Sequence, residues 1–289
     1  MHTRTSRLTI LGLALLCALC TVSSGLAQEQ EQEHRFTTID IRGANGTMAF
    51  GINSEGNIVG FYFNPNIHGF LLSEDGALTT IDVPGAFASF AQGINPQGDI
   101  VGVYFNATGT HGFLLSKGAF TTIDVPGAFS STVAQGINSK GDIVGFYNAS
   151  GDHGFLLSED GAFTTIDFPG AFGGTFAQGI NSKGDIVGGY FIVNAGTHGF
   201  LLSEGAFTTI DVPGASRTVA SGINSKGEIV GCYDNATGVH GFLLSKGAFT
   251  TIDVPGASQT QAVGINPQGD IVGLYFTATG GEHGFLLSK

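Results

Sequence analysis

The stretch FAQGINPQGDIVGVYFNATGTHGFLLSKGAFTTIDV, residues 90–125, decides the fold of this chain. Its apolar segments are short, and turn-forming residues separate them. We predict four strands, at Phe90–Asn95, Asp99–Phe105, His111–Ser116 and Phe120–Val125. Between the first two strands, Asn-Pro-Gln-Gly is typical of a tight turn, because Gly98 can adopt a positive φ. No segment is long enough for a crossover helix, so the sequence predicts an all-β fold.

The same pattern recurs six times between residues 36 and 289, at spacings of 42 to 45 residues. Each copy contains one T-T-I-D, one G-I-N and one H-G-F. The aspartates that end T-T-I-D are Asp40, Asp82, Asp124, Asp167, Asp211 and Asp253, and the histidines that begin H-G-F are His68, His111, His153, His198, His240 and His283. A four-strand unit repeated at this period is typical of a β-propeller blade.

We therefore predict one domain, residues 36–289, that forms a six-bladed β-propeller of four-stranded antiparallel blades. The chain begins with a strand of the fourth type, Phe36–Ile41, and ends with one of the third type, His283–Lys289. The N-terminal strand would then close the last blade and remove an open sheet edge. Two tandem β-trefoils are the alternative fold, because a trefoil unit has a similar length and strand count.

The N-terminus has the three parts of a secretory signal peptide. Basic residues precede an apolar run at Leu8–Cys20, and Gly25 and Ala27 stand before a possible cleavage point. We predict that residues 1–27 are a signal peptide and that the polar residues 28–35 are a flexible spacer. The expected location is therefore secreted or periplasmic.

Composition narrows the possible partners. The net charge of −12 argues against nucleic acid and anionic membranes. The apolar run near the N-terminus is too short to span a bilayer, so we expect no membrane span after signal cleavage. Only Cys232 would remain after cleavage; it cannot form an internal disulfide, and we expect it to be buried. We expect a monomer without a cofactor.

The repeat resembles a known family. The stretch AQGINSKGDIVGFY, residues 134–147, followed by HGFLLS, residues 153–158, resembles the bacterial HAF extracellular repeat. That family has an I-N-x-x-G-x-x-V-G core followed by His-Ala-Phe, whereas all six copies here have Gly in place of Ala, as at Gly69 and Gly112. The resemblance covers about residues 36–289. It implies an exported repeat protein and supplies no established catalytic residue or ligand.

The repeated histidines and aspartates suit structural roles better than chemical ones. A zinc ion needs three or four ligands at about 2.0–2.3 Å, whereas one histidine per blade keeps the six apart. We expect each histidine to bond within its own blade, to the Thr or Asp of T-T-I-D. The repeated aspartates also lack the paired, unequal environments that glycoside hydrolysis requires. We therefore predict no metal site and no catalytic residue.

The copies differ mainly in two loops, one before each His and one after each Pro-Gly. Both would emerge on the same face of a propeller, and loops on a rigid scaffold are common binding sites. The candidate ligand-binding residues in these loops are Phe87, Phe129, Phe172, Asn106, Thr108, Asn148, Asn235 and Thr237. The alternative is that the three phenylalanines are tucked between blades.

The sequence favours a non-catalytic binding or interaction module for a glycan or a protein. A structural surface protein without a small ligand is the second hypothesis, and a propeller hydrolase or lyase is the third. An enzyme site should break the repeat with charged residues unique to one or two blades. The sequence offers no such set.

Overall fold

The computed structural model describes residues 35–288, so the predicted signal peptide and most of the predicted spacer lie outside the described residues. These residues contain strands and turns and no helix. The strands are β1 (Arg35–Ile39), β2 (Thr47–Ile52), β3 (Ile58–Asn64), β4 (Asn66–Leu72), β5 (Leu78–Ile81), β6 (Ala88–Ile94), β7 (Ile100–Asn106), β8 (Gly109–Ser116), β9 (Ala119–Ile123), β10 (Ser131–Ile137), β11 (Ile143–Asn148), β12 (Asp152–Leu157), β13 (Phe163–Ile166), β14 (Thr175–Ile180), β15 (Ile186–Ile192), β16 (Gly196–Ser203), β17 (Ala206–Ile210), β18 (Arg217–Ile223), β19 (Ile229–Asn235), β20 (Gly238–Ser245), β21 (Ala248–Ile252), β22 (Ala257–Ile265), β23 (Ile271–Thr277) and β24 (Glu282–Ser288).

Antiparallel pairing groups these strands into four-stranded units. Units 1 to 5 are β2–β5, β6–β9, β10–β13, β14–β17 and β18–β21, and unit 6 is β22–β24 with β1. Single parallel pairs, Ile67 with Ala88 and Thr110 with Ser131, join units 1 to 3 into one larger sheet. The prediction of an all-β fold built from four-stranded antiparallel sheets is confirmed. Backbone pairing leaves four separate sheets rather than one closed sheet.

The fourth strand of each unit lies at the sheet edge, as its polar sequence predicts. In unit 2, Thr121 and Thr122 of β9 are exposed, whereas Ile123 is buried. The apolar second and third strands supply the core between units. The fully buried large side chains are Phe70, Phe113, Phe155, Phe200, Phe242 and Phe285 from the third strands, and Val59, Val101, Val144, Val187, Val230 and Val272 from the second strands.

The first strands depart from the expected alternation. In β6 the register shifts between Ala91 and Gly93, so Gln92 is a bulge residue. Ile94 is consequently buried, although strict alternation would place it on the same face as half-buried Phe90 and Gln92. The same shift occurs in the other units, because the sequence A-x-G recurs in each first strand. The bulge is a local device that aims one side chain differently from its neighbours.

The asparagine of each G-I-N links one unit to the next. Asn138 is 3% exposed, and its Oδ1 accepts hydrogen bonds from the backbone N–H groups of Lys140 (2.9 Å) and Asp142 (3.0 Å). Its Nδ2 donates to the carbonyl oxygen of Asn181 in the following unit, at 3.3 Å. The equivalent inter-unit bonds join Asn53 to Asn95, Asn95 to Asn138, Asn181 to Asn224, Asn224 to Asn266 and Asn266 to Asn53. The last of these bonds returns to the first unit.

These contacts define two sides of the fold. The G-I-N turns lie together, and the short turns between third and fourth strands lie at the same strand ends; we call this side the hairpin face. The connections from second to third strand, and from the fourth strand to the next unit, lie at the opposite ends and form the loop face.

Several predicted strand ends shift because loop-face groups bond elsewhere. The fourth strand of unit 2 stops at Ile123, since the side chain of Asp124 bonds His111 and the N–H of Val125 donates to Thr132 Oγ1. The first strand of the chain likewise ends at Ile39 rather than Ile41.

Candidate functional site

A histidine–aspartate pair lies on the loop face of every unit. The histidine lies near the start of the third strand, and the aspartate follows the fourth strand beside it. Their closest Nδ1–carboxylate distances are 2.8 to 3.0 Å in His68–Asp82, His111–Asp124, His153–Asp167, His198–Asp211, His240–Asp253 and His283–Asp40. The histidine side chains are about a quarter exposed and the aspartates about half exposed. The pairs thus orient imidazoles that solvent can still reach.

A tyrosine that the sequence analysis did not single out completes each pair. Tyr62 lies directly across from His68 in the β3–β4 register, and the two rings stack with centroids 5.4 Å apart. The phenol oxygen of Tyr62 lies 3.2 Å from Thr80 Oγ1 on the fourth strand. The same pairings recur at Tyr104, Tyr147, Tyr190, Tyr233 and Tyr275. The signal was available, because all six tyrosines of the chain occur at one position of the repeat.

Three exposed phenylalanines stand on neighbouring loops of this face. Phe87, Phe129 and Phe172 are 67%, 75% and 90% exposed, so they are not tucked between units. Each follows a Pro-Gly turn that a short backbone bond closes, as from Ala86 N–H to the Val83 carbonyl at 3.0 Å. Each ring is thus presented to solvent just after a closed turn. In the other three units the equivalent residues are Ser216, Ser258 and Asn45.

Two clefts bring these groups together. The cleft at the junction of units 1 and 2 has a volume of about 290 Å³ and is lined by His68, Asp82 and Phe87. The cleft at the junction of units 3 and 4 has a volume of about 240 Å³ and is lined by the matching His153, Asp167 and Phe172. An aromatic ring, an imidazole and a carboxylate around one small cleft can hold a polar ligand that also has an apolar face.

The predicted asparagine and threonine candidates bond mainly within their own loops. Asn106 Oδ1 accepts from the N–H of Thr108 at 2.8 Å and of Gly109 at 3.2 Å. Thr108 Oγ1 lies 2.8 Å from His111 Nε2, and unit 5 repeats this arrangement with Asn235, Thr237 and His240. In unit 3, Asn148 Nδ2 instead donates to Asp152 Oδ1 at 2.8 Å. The structure therefore brings Phe87 and Phe172, and not these asparagines and threonines, to the two clefts.

Other titratable groups lie away from the clefts. Within residues 35–288, no group of three or more His, Cys, Asp or Glu is arranged to hold a metal ion. Cys232 is 4% exposed, as expected, and burial raises the pKa of its thiol. On the hairpin face, burial raises the pKa of Asp185, but hydrogen bonds from Ser203 and Asn181 and the charge of Lys183 outweigh it and leave the pKa below its ordinary value.

Comparison with known proteins shows the fold and nothing finer. Neither a protein-family model nor a curated protein matches the chain. Among solved structures, AofleA from Arthrobotrys oligospora superposes with a TM-score of 0.57 at 11% identity, over 89% of this chain and 86% of its own. The Aleuria aurantia lectin superposes with a TM-score of 0.52 at 12% identity, over 84% of this chain and 91% of its own. Virginiamycin B lyase from Staphylococcus aureus superposes with a TM-score of 0.50 at 13% identity, over 89% of this chain and 100% of its own. These are β-propeller proteins, so the chain has a propeller-like fold. No helix in the described part of the chain is long and apolar enough to cross a membrane.

Proposed function

We propose that this protein is an exported, non-catalytic binding module that recognises glycans through its loop face. The observation that carries the proposal is the set of exposed phenylalanines beside polar histidine–aspartate pairs. A sugar ring presents C–H groups on its faces and hydroxyls at its edge, and both need partners in a binding site. Phe87 and Phe172 supply aromatic faces, and the adjacent pairs supply polar contacts.

The proposal includes a closed propeller with six blades, one for each unit. The cyclic order of the asparagine bonds supports it, because the bond from Asn266 returns to Asn53. The pairing of β1 with β24 also fits closure by the N-terminal strand, and both features favour a propeller over two β-trefoils. Such a ring would hold its loops on a rigid frame, which suits repeated weak binding sites.

We also propose that the protein belongs to the HAF-type repeat proteins and that its N-terminal segment directs its export. The repeat signature supports the first and the three-part N-terminal sequence supports the second. One of the similar folds, the Aleuria aurantia lectin, is in complex with Fucα1-6GlcNAc. That likeness is compatible with a sugar site on this fold.

A glycan array tests the proposal. We expect reproducible binding by the native protein, and loss of binding when Phe87, Phe129 and Phe172 are all replaced by alanine. Exposed substitutions of this kind change stability by about 0.5 kcal/mol or less each, so the variant should remain folded. Leu78→Ala is the matched control, because Leu78 is 44% exposed but begins a fourth strand at the hairpin face.

Each other outcome has a distinct meaning. A blank array would contradict glycan recognition and favour a protein ligand or a structural surface role. Consumption of a bound glycan, abolished by a single carboxylate change, would contradict the non-catalytic assignment. Equal losses from Leu78→Ala and from the phenylalanine variant would show that binding does not use the loop face.

A further inference from the structure

We propose that two of the six unit junctions, those with Phe87 and Phe172, are the sugar sites, and that each accepts one neutral sugar residue whose hydroxyl donates a hydrogen bond to the Nε2 of His68 or His153. This inference rests on the proposed function and assigns its binding sites. It predicts two sites per chain, although the sequence repeats its unit six times.

The paired aspartate determines what each imidazole offers a ligand. A carboxylate only accepts hydrogen bonds, so the Nδ1 that faces it must carry the proton. In a neutral imidazole the other nitrogen, Nε2, then has a free lone pair. In the His68–Asp82 pair, Nδ1 lies 3.0 Å from both carboxylate oxygens, which fixes both the ring and its tautomer. The Nε2 of His68 is therefore an oriented acceptor for a hydroxyl group.

Two of the six imidazoles already have a partner at Nε2. Thr108 Oγ1 occupies this position on His111, and Thr237 Oγ1 occupies it on His240, each at 2.8 Å. Among residues 35–288, the Nε2 atoms of His68, His153, His198 and His283 have no hydrogen-bond partner within the protein. In units 2 and 5 a threonine of the unit's own loop thus occupies Nε2, and we call such an imidazole capped.

An exposed phenylalanine stands beside two of the four imidazoles whose Nε2 is open. The loops that follow the His198 and His283 pairs carry Ser216 and Asn45 at the aromatic position. Phe129 has the aromatic ring but lies beside capped His111. Only the junctions after units 1 and 3 combine an uncapped imidazole with an exposed ring, and these two junctions form the clefts of about 290 and 240 Å³.

Cleft size and charge identify the class of ligand. Ligand pockets for drug-sized molecules start at roughly 300 Å³, so each cleft suits one sugar residue rather than an extended oligosaccharide. Carboxylates line both clefts, Asp82 in the first and Asp152 with Asp167 in the second, and no lysine or arginine lines either one. The clefts therefore disfavour uronic or sulfated sugars and accept neutral ones.

Histidine NMR can test the assignment directly. The protein is labelled with ¹³C at histidine Cε1 and titrated with methyl glycosides of fucose, galactose, mannose and N-acetylglucosamine, with methyl glucuronide as the anionic control. Single His→Gln variants assign the resonances. We expect at least one neutral glycoside to shift the resonances of His68 and His153 until they saturate. The resonances of His111 and His240 should not move, and the glucuronide should shift none of them.

Matched variants test separately the need for an exposed phenylalanine and the need for an uncapped imidazole. Phe87→Ala should weaken binding at His68 about tenfold or more and leave His153 unchanged, while Phe172→Ala should do the reverse. Thr108→Ala should uncap His111 beside Phe129 and create a third saturable site. Thr237→Ala also uncaps its histidine, but its loop has Ser258, so this variant should gain no site.

Failure of this inference is distinguishable from failure of the proposed function. If the array detects a glycan but the panel shifts His111 or His240, or shifts neither His68 nor His153, the two-site assignment is wrong while glycan recognition stands. No third site in Thr108→Ala would contradict capping as the reason for the difference. If the panel shifts no histidine and the array is blank, both proposals fail.

Discussion

Two adjacent glycines in β15 provide a sharp test of how tightly the units are built. A Cβ added to Gly188 would lie inside the 3.0 Å distance that real Cβ atoms keep from the carbonyl oxygen of Phe176, and 2.8 Å from Cε1 of Phe200. A Cβ on Gly189 would have its nearest neighbour, Val219 Cγ1, at 3.6 Å, which is an ordinary contact. We therefore expect Gly188→Ala to be destabilising and Gly189→Ala to be tolerated.

The size of the effect follows from what must move at Gly188. The Phe176 carbonyl is part of the β14–β15 ladder, and Phe200 is fully buried, so neither can withdraw without loss of packing. Overpacking costs about 1–3 kcal/mol, and a weakened ladder bond costs about 1 kcal/mol more. We expect Gly188→Ala to lower the free energy of unfolding by about 3 kcal/mol in total, which would lower Tm by roughly 6–12 °C for a domain of this size.

Gly189→Ala supplies the matched control. Its backbone has no positive φ, and other units carry Phe, Val, Cys or Leu at the same position. Replacing glycine at a compatible site restricts the unfolded chain and stabilises by about 0.4–1 kcal/mol. Thermal unfolding followed by circular dichroism, together with guanidinium titration, would measure both variants. Equal Tm values for the two variants would refute the reasoning.

Three further predictions concern stability and reactivity. Asn138→Ala should lower the unfolding free energy by about 2–3 kcal/mol in guanidinium titrations, because two turn N–H groups and the carbonyl of the next unit lose their partner; a loss below about 0.5 kcal/mol would contradict a role in joining units. Cys232 should resist alkylation at pH 8 in the folded protein and react after denaturation, since burial raises its pKa; peptide mass spectrometry would detect the label, and rapid native labelling would contradict the burial. The folded pKa of Asp185 is lowered, so its stabilising contribution is present above the unfolded value of about 3.9 and is lost as pH falls through the folded value. Asp185→Asn should therefore flatten the acid limb of the stability profile, and an unchanged limb would contradict that role.

The sequence predicts the features that depend on residues close together in the chain. The turn at Asn95 and the edge position of each T-T-I-D strand follow from local chemistry, and both are present. The bond from Asn138 to the next unit could not be predicted in this way. Its partner is 43 residues away, and the direction of Nδ2 depends on how the units pack. Tyr62 was overlooked, although counting back across the β3–β4 hairpin would have placed it opposite His68.

Variation between copies predicts a candidate binding face but cannot identify the atoms that remain open. Units 2 and 3 contain the similar loops N-A-T-G-T-H and N-A-S-G-D-H, in which Ser150 occupies the position of Thr108. In the structure Asp152 instead accepts a bond from Asn148, the third strand starts at Asp152, and no hydrogen bond joins Ser150 to His153. The loop with Asp152 thus leaves the Nε2 of His153 without a partner beside Phe172. The repeated residues build the frame, and such small departures from the repeat are where binding specificity can arise.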